Sequence, residues 1–183
     1  WLYWSLKPKH REWAEQWQAE YQAYLLEMET VEIGENCFIS PLAHIFAERG
    51  RKISIGDNTF IAADCTLHGP LQIGNEVAIN HHCILDGGRA GIKLHDQVRI
   101  AAYSHLYAFD HGMDLERPIY QQAVTSKGIE IGQDVWLGAH VGIKDGVKIG
   151  DHAVIGMNSM VTKDIEKHAI VAGNPARLIR YRK

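Results

Sequence analysis

The sequence has little of what marks several large classes of protein. Its 183 residues include three cysteines and five prolines, and 19 Lys+Arg against 22 Asp+Glu leave a formal net charge of −3. The odd cysteine count disfavours a disulfide framework, and the lack of a basic excess disfavours a general nucleic-acid binder. No aliphatic run approaches the roughly 18 residues of a membrane span. Residues 1–30 show no signal-peptide pattern, which favours a cytoplasmic protein.

What the sequence does have is an aliphatic residue at every sixth position. The clearest run has its anchors at Ile131, Leu137, Ile143, Ile149, Ile155 and Val161. A period of six fits neither an amphipathic helix nor a half-buried strand. Hexapeptide repeats are typical of a solenoid of short parallel strands, in which three hexads build one turn, so the chain predicts a coil of about six turns.

The same column extends toward the N-terminus, with interruptions. It begins at Ile33, slips across Ala47–Ser54 and Asp86–Lys93, and vanishes between Tyr107 and Glu130. Insertions of a solenoid lie outside the stack and often carry function. We therefore expect a long functional loop at residues 107–130.

Two kinds of small residue accompany the anchors. Glycines directly follow four of them, at positions 132, 138, 150 and 156, and we expect these glycines to supply corner geometry closed to residues with a Cβ. Cys37, Cys65 and Cys83 each lie four residues after an anchor. They are predicted to be small, inward-facing residues.

The chain is expected to divide into three segments. Residues 1–30 hold an N-terminal helix from about Pro8 to Met28, because Pro8 suits a first turn and aromatic residues recur at helical spacing. The helix should lie against the solenoid or a neighbouring subunit, since bare solenoid ends need a cap. Residues 31–173 form the solenoid, and residues 174–183 a basic tail packed on its end.

Three segments carry a family likeness: residues 131–138, 161–165 and 172–177, with the sequences IGQDVWLG, VTKDI and AGNPAR. From Ile33 onward the chain resembles the hexapeptide-repeat acyltransferases, and most closely the galactoside, maltose and polysaccharide O-acetyltransferases. The resemblance implies a mainly β fold, the left-handed parallel β-helix. It also implies acetyl-CoA as co-substrate, no metal, and a homotrimer with active sites between subunits.

The resemblance also assigns roles to residues. His111 is the expected general base, for which an imidazole is well suited at physiological pH; the other reading is a solvated loop residue. Asn80 is expected to contact the acceptor, or else to be a corner residue whose amide tolerates a turn. Trp136 is expected to line the acceptor or pantetheine channel, or to pack between subunits. The residues expected along coenzyme A are Ala139, Met157, Thr162, Lys163, Arg177 and Arg180.

The sequence thus predicts an acetyl-CoA-dependent acetyltransferase that O-acetylates a sugar, a saccharide or a cell-envelope polysaccharide unit by direct transfer. Three alternatives stay open: N-acetylation of an amino sugar or other small amine, a non-catalytic scaffold, and a γ-carbonic-anhydrase-like protein. Residues 67–70 resemble those carbonic anhydrases, but Ala63 stands where a paired metal ligand belongs, and zinc catalysis needs three protein ligands. His81 and His82 are expected on opposite faces of a strand, so they should not chelate one ion together.

Overall fold

The computed structural model describes residues 6–28 and 30–183, so residues 1–5 and 29 of the predicted N-terminal segment lie outside the described residues. The predicted helix is confirmed as α1 (Pro8–Met28). The Gln18 side chain of α1 is buried and makes two 2.8 Å hydrogen bonds to the backbone of Ile39, one through each amide atom. The Gln18 side chain therefore pairs with backbone groups of the first turn that a neighbouring strand pairs with in the other turns. The helix thus covers the N-terminal edge of the sheet, which would otherwise be open.

Four turns of coil follow α1, each made of three short strands. They are β1 (Val31–Ile33), β2 (Phe38–Ile39), β3 (His44–Phe46), β4 (Ile53–Ile55), β5 (Phe60–Ile61), β6 (Thr66–His68), β7 (Leu71–Ile73), β8 (Ala78–Ile79), β9 (Ile84–Asp86), β10 (Ile92–Leu94), β11 (Arg99–Ile100) and β12 (His105–Tyr107).

An insertion then interrupts the coil before two further turns and a C-terminal pair of strands. The insertion holds β13 (Asp110–His111), the 3-10 helix η1 (Ile119–Gln121) and β14 (Val124–Thr125). The remaining strands are β15 (Ile129–Ile131), β16 (Trp136–Leu137), β17 (Gly142–Ile143), β18 (Lys148–Ile149), β19 (Val154–Ile155), β20 (Met160–Val161), β21 (Ala169–Ala172) and β22 (Arg177–Tyr181).

Equivalent strands of successive turns pair in parallel and form three flat sheets. Sheet A contains β1, β4, β7, β10, β15 and β18; sheet B begins at β2 and ends at β21 and β22; sheet C contains β3, β6, β9, β12, β17 and β20. The connections between them make three corners, called here the A–B, B–C and C–A corners. The coil is the left-handed β-helix of about six turns that was predicted.

The predicted inward column forms the core. Every anchor from Ile39 to Val161 is buried, and Ile33 at the first turn packs against the same core. Cys37, Cys65 and Cys83 are free and buried, so the prediction that they are small inward residues is confirmed.

The glycines after the anchors have a different cause from the one expected. The left-handed corner position is occupied by the residue two places later, such as Asp134 (φ 51°) or His140 (φ 57°), and not by the glycine. A Cβ on Gly138 would lie 2.6 Å from the backbone nitrogen of Met157 in the next turn. The expectation about corner geometry was therefore wrong: glycine is required because the neighbouring turn passes too close for a side chain.

All the interruptions of the hexad pattern fall at one corner. The connections β3–β4, β9–β10 and β12–β15 each run from sheet C to sheet A, so the three insertions lie together along the C–A corner. The longest of them is the predicted loop at residues 107–130, which folds into a hairpin in which Asp110 pairs with Thr125 and His111 with Val124.

The basic tail is more ordered than the sequence indicates. β22 pairs antiparallel with β21 and adds the last strand to sheet B. Beyond it, the Arg182 guanidinium donates to the Asp134 carboxylate at 3.0 Å, and His152 Nδ1 lies 3.0 Å from the same carboxylate oxygen. The hydrogen bond with His152, followed by that from Arg182, holds the pKa of Asp134 below its usual range. The tail is thus fixed along the A–B corner.

Candidate active site

His111 lies on an ordered hairpin at the C–A corner. Its side chain is exposed, and its ring meets that of Phe109 edge-on, with centroids 6.1 Å apart. Asp110 points to the other side, where its carboxylate forms a 3.2 Å ion pair with Lys144 of the solenoid. Successive residues of a strand alternate in direction. The ion pair therefore tethers the hairpin to the coil and leaves the imidazole free to face a ligand.

The tip of the insertion is held by a residue that no pattern in the sequence singles out. Gln122 is buried; its amide nitrogen donates to the carbonyls of Asp114 (2.8 Å) and Arg117 (2.7 Å), and its oxygen accepts the N–H of Asp114 at 2.9 Å. One side chain thus satisfies three backbone groups that the irregular tip leaves without strand partners. A buried glutamine inside a polar insertion carries no periodic signal.

The face of the hairpin that carries Phe109 looks onto a cleft of about 320 Å³. Val124 and Ser126 complete the hairpin wall, and the opposite wall is polar: Arg51, His68, Asp86, Gly88 and Arg89. His111 pairs with Val124, so it lies on the same face of the hairpin as Val124 and Phe109. His111 is not itself part of the cleft lining, but its ring meets that of Phe109, which forms the aromatic wall of the cleft.

A second group of the predicted residues lies along the B–C corner. Asn80 directly follows β8 there, and Ala139 and Met157 lie two and three turns above it. Met157 is exposed, and its backbone passes so close to Gly138 that no side chain fits between the two turns. The Asn80 amide nitrogen donates to the Ile100 carbonyl of the next turn at 3.2 Å, so this side chain links two turns of the coil.

The same corner carries a column of stacked rings. Tyr103 stacks on His82 at 4.7 Å and on His140 at 4.9 Å. His81 and His82 were expected on opposite faces of a strand, but they lie in the corner turn with ring centroids 5.3 Å apart. That expectation was wrong because His82 adopts a left-handed conformation (φ 58°), in which strand alternation does not apply.

Three of the residues expected along coenzyme A share a cleft at the end of the coil. Thr162, Lys163 and Arg177 line it over an apolar floor that includes Ile165 and Val171, and its volume is about 360 Å³. Arg180 is exposed on β22 and lies outside this lining. Asp164 and Glu166 line the same cleft, so its two cations are matched by two carboxylates, and Lys163 and Arg177 are the charged groups in it that could contact a phosphate.

The cleft at the end of the coil is bounded by the C-terminal strand. The Tyr181 hydroxyl donates to the Glu166 carboxylate at 2.6 Å, and this hydrogen bond raises the pKa of Tyr181. The bond closes the antiparallel strand over the last turn. It therefore fixes the backbone that carries Arg177.

The predicted site residues do not all meet within one chain. Asn80 and Ala139 border sheet C at the B–C corner, whereas the hairpin of His111 leaves the opposite edge of the same sheet. Trp136 is exposed on the outward face of sheet B, between Arg99 and Val154 of the adjacent turns. A three-residue strand and its flanking corner residues separate the two edges, a span of roughly 15–20 Å at about 3.3 Å per residue.

His68, which belongs to the stretch resembling carbonic anhydrases, is engaged in side-chain contacts. Its Nδ1 lies 3.3 Å from Asp86 Oδ2 and its Nε2 lies 3.2 Å from Arg51 Nη1. Within residues 6–28 and 30–183, no group of three or more His, Cys, Asp or Glu side chains could hold a metal ion.

The helices described by the structure include none that is long and apolar enough to cross a membrane.

Comparison with known proteins agrees with this fold. The family model "Bacterial transferase hexapeptide (six repeats)" matches residues 128–163. The galactoside O-acetyltransferase of Escherichia coli is 31% identical over 165 residues, which cover 89% of this chain and 70% of that protein. The chloramphenicol acetyltransferase of Klebsiella aerogenes is 34% identical over 112 residues, which cover 59% of this chain but only 52% of that enzyme.

A solved structure extends the comparison to bound ligands. A crystal structure of a mutant of AntD, an N-acyltransferase from Bacillus cereus, contains dTDP and coenzyme A. It superimposes with a TM-score of 0.80 and 31% sequence identity over 88% of this chain and 90% of that chain. The chain belongs to the hexapeptide-repeat acyltransferases, a family of coenzyme A-dependent enzymes.

Proposed function

We propose that this protein transfers an acetyl group from acetyl-CoA to a hydroxyl group of a sugar, a saccharide or a cell-envelope polysaccharide unit. The observation that carries the proposal is the ordered hairpin, which presents His111 beside a polar cleft on a coil of acyltransferase type. A scaffold protein has no need of such a hairpin, held at its tip by Gln122 and tethered to the coil by Lys144.

In the proposed reaction, His111 acts as general base. Its neutral imidazole accepts the proton of the acceptor hydroxyl as the oxygen attacks the thioester carbonyl. The carbon–sulfur bond then breaks, and the imidazolium returns the proton to the leaving sulfur, so coenzyme A leaves as the thiol. The small residues and exposed main chain of the B–C corner allow close approach of a ligand and offer N–H groups to the developing oxyanion. Direct transfer needs no nucleophile in the protein.

The two edges of sheet C are joined in this proposal by a neighbouring subunit. Predicted site residues lie at separate corners, so a homotrimer in which the hairpin of one subunit faces the B–C corner of the next completes the site. Light scattering should then give a mass three times the 20.6 kDa of one chain. A monomeric mass in dilute solution would contradict the shared site.

The cleft at the end of the coil is proposed to hold the phosphate-bearing part of acetyl-CoA. Replacing both Lys163 and Arg177 with alanine should raise the KM for acetyl-CoA and leave the acceptor's KM nearly unchanged. Exposed charge contacts to phosphate are worth roughly 1–2 kcal/mol each, and the effect should shrink as salt screens it.

The matched control for this pair is Arg180→Ala, because Arg180 lies on the same strand as Arg177 but outside the cleft. Its KM for acetyl-CoA should stay closer to that of the wild type. An unchanged KM in the Lys163 and Arg177 double variant at low salt would show that the cleft does not bind the phosphates.

The alternative acceptor is an amine. The likeness to AntD, an N-acyltransferase, favours it, and the same hairpin base could take a proton from an ammonium group or an attacking amine. A panel comprising a galactoside, chloramphenicol and a dTDP-linked amino sugar, assayed with acetyl-CoA by free-thiol release, separates the two. Turnover of the amino sugar alone would replace O-acetylation by N-acetylation.

A further inference from the structure

The neck of the His111 hairpin is closed by one hydroxyl group. Ser126 follows β14 directly, and its Oγ donates to the carbonyl of Ala108 at 2.5 Å. The same oxygen accepts the N–H groups of Arg89 at 3.0 Å and Ala90 at 2.9 Å. Ala108 follows β12, so the hydroxyl joins the entry and the exit of the insertion. It also fastens both to the loop of the turn below.

The loop below is shaped to meet this hydroxyl. Gly88 has a left-handed conformation (φ 55°), and a Cβ on it would lie 2.5 Å from the Ala108 carbonyl oxygen and 2.9 Å from Ser126 Oγ. Glycine is therefore needed here both for the backbone conformation and for the close approach. The loop and the hairpin neck pack with no space between them for a side chain.

A chain of side chains supports this loop from the lower turns. Asp86 Oδ1 accepts the N–H of Gly88 at 3.0 Å, while Asp86 Oδ2 faces His68 Nδ1 and Arg51 faces His68 Nε2. An arginine guanidinium only donates, so His68 Nε2 accepts and His68 Nδ1–H donates to Asp86. The Arg51–His68–Asp86 series thus connects three turns and ends at the loop that Ser126 holds.

The next turn fixes the other side of the neck. The buried carboxylate of Asp145 accepts the N–H groups of Lys127 and Gly128 at 2.9–3.0 Å. The residues after Ser126 are therefore anchored to the next turn by Asp145, and residues 86–90 are anchored to the previous turns by the Arg51–His68–Asp86 series. The Ser126 hydroxyl links these two fixed parts to the start of the hairpin.

We propose that Ser126 is a positioning residue, which holds the hairpin at the angle that places the imidazole of His111. His111 is three residues after Ala108 and lies opposite Val124, two residues before Ser126, so both ends of its support meet at one hydroxyl. The inference rests on the proposed function, in which His111 is the base. Ser126 acts in this proposal through His111, since its own hydroxyl is engaged by Ala108, Arg89 and Ala90.

Ser126→Ala should lower kcat by between about tenfold and about 100-fold, since a displacement of about 1 Å at a catalytic group can cost about 100-fold. The KM for acetyl-CoA should stay within about twofold, because the cofactor contacts are elsewhere. Water can reach the exposed N–H groups of Arg89 and Ala90, but the buried Ala108 loses the donor to its carbonyl, so the melting temperature should fall modestly while the coil stays folded. Activity is measured by thiol release with the acceptor of the panel above that turns over fastest.

Two variants serve as controls. Ser126→Thr keeps a hydroxyl and should recover most of the rate. Thr125→Val removes the neighbouring hydroxyl, which is 3.5 Å from the Asp110 carbonyl and reaches neither Ala108 nor the lower loop. It should leave kcat near that of the wild type.

A second measurement is independent of activity. Hydrogen exchange at the amides of residues 110–112 and 124–125 should be faster in Ser126→Ala, with the strands of the coil unchanged. The proposal is overturned if Ser126→Ala has the wild-type kcat and unchanged hydrogen exchange in the hairpin. It is also overturned if exchange rises equally in the hairpin and the coil, because Ser126 would then be a general stability residue. If His111→Ala keeps the wild-type rate while Ser126→Ala loses it, the proposed base is wrong and Ser126 does not act through it. If His111→Ala is slow and Ser126→Ala is not, this inference alone fails.

Discussion

His111→Ala should lower kcat by about 100- to 10,000-fold, the range that general-base catalysis typically contributes. The fold should survive the change, because the side chain is exposed and lies outside the aliphatic column. The oligomer, the melting temperature and the binding of coenzyme A should therefore remain those of the wild type. Thiol release at saturating acetyl-CoA measures kcat, and a thermal melt measures whether the fold is retained.

The pH dependence separates a base from a binding residue. The wild-type rate should rise with pH as an imidazole loses its proton, since only the neutral ring accepts a proton, and this limb should be absent in His111→Ala. His95→Ala is the control, because His95 is a partly exposed histidine 3.0 Å from the Glu130 carboxylate, at the A–B corner away from the hairpin. It should keep both the rate and the limb. A His111→Ala enzyme within about threefold of wild type, far short of the general-base range, would remove His111 from the mechanism.

The second large effect concerns the shared site. Homotrimers of His111→Ala should be inactive, and so should homotrimers of Ala139→Arg, in which a long charged side chain covers the B–C corner. Co-expressed in equal amounts, the two chains should assemble at random. If each site takes its hairpin from one subunit and its corner from the next, roughly a quarter of the sites pair two intact surfaces and regain activity.

The control for complementation is a chain that carries both substitutions, co-expressed with His111→Ala. No site in that mixture has an intact hairpin, so it should stay inactive. If the mixture of His111→Ala and Ala139→Arg chains regains no activity, although mass measurement shows that mixed trimers form, the hairpin and the corner of one site belong to the same chain and the shared site is wrong.

The sequence predicted the coil because its cause is local and repeated. An anchor at every sixth position faces inward whatever the other residues are, so the strands, the core and the long interruption all follow from spacing. The C–A corner is different. Its order depends on Ser126, Asp86 and Gln122, whose side chains hydrogen-bond main-chain groups of irregular loops, and no periodicity encodes such contacts.

Two expectations about single residues were wrong for different reasons. The glycine at position 138 reads as a residue that turns a corner, but the structure requires it because Met157 of the next turn lies against it. His81 and His82 read as a strand, but they occupy a corner turn and touch. The neighbour that decides Gly138 is one turn away in the coil, about 18–20 residues away in the sequence when each turn holds three hexads. The error about His82 comes from its own left-handed conformation (φ 58°).

Direct transfer of the acetyl group is tested most directly by measuring all products of one reaction together. Wild-type protein, isotope-labelled acetyl-CoA and the most active acceptor of the panel are incubated, and free coenzyme A, acetylated acceptor and protein mass are quantified. Transfer by a histidine base predicts equal amounts of free coenzyme A and acetylated acceptor, and no acetyl group on the protein. A protein carrying the labelled acetyl group, or coenzyme A released without acetylated acceptor, would contradict it.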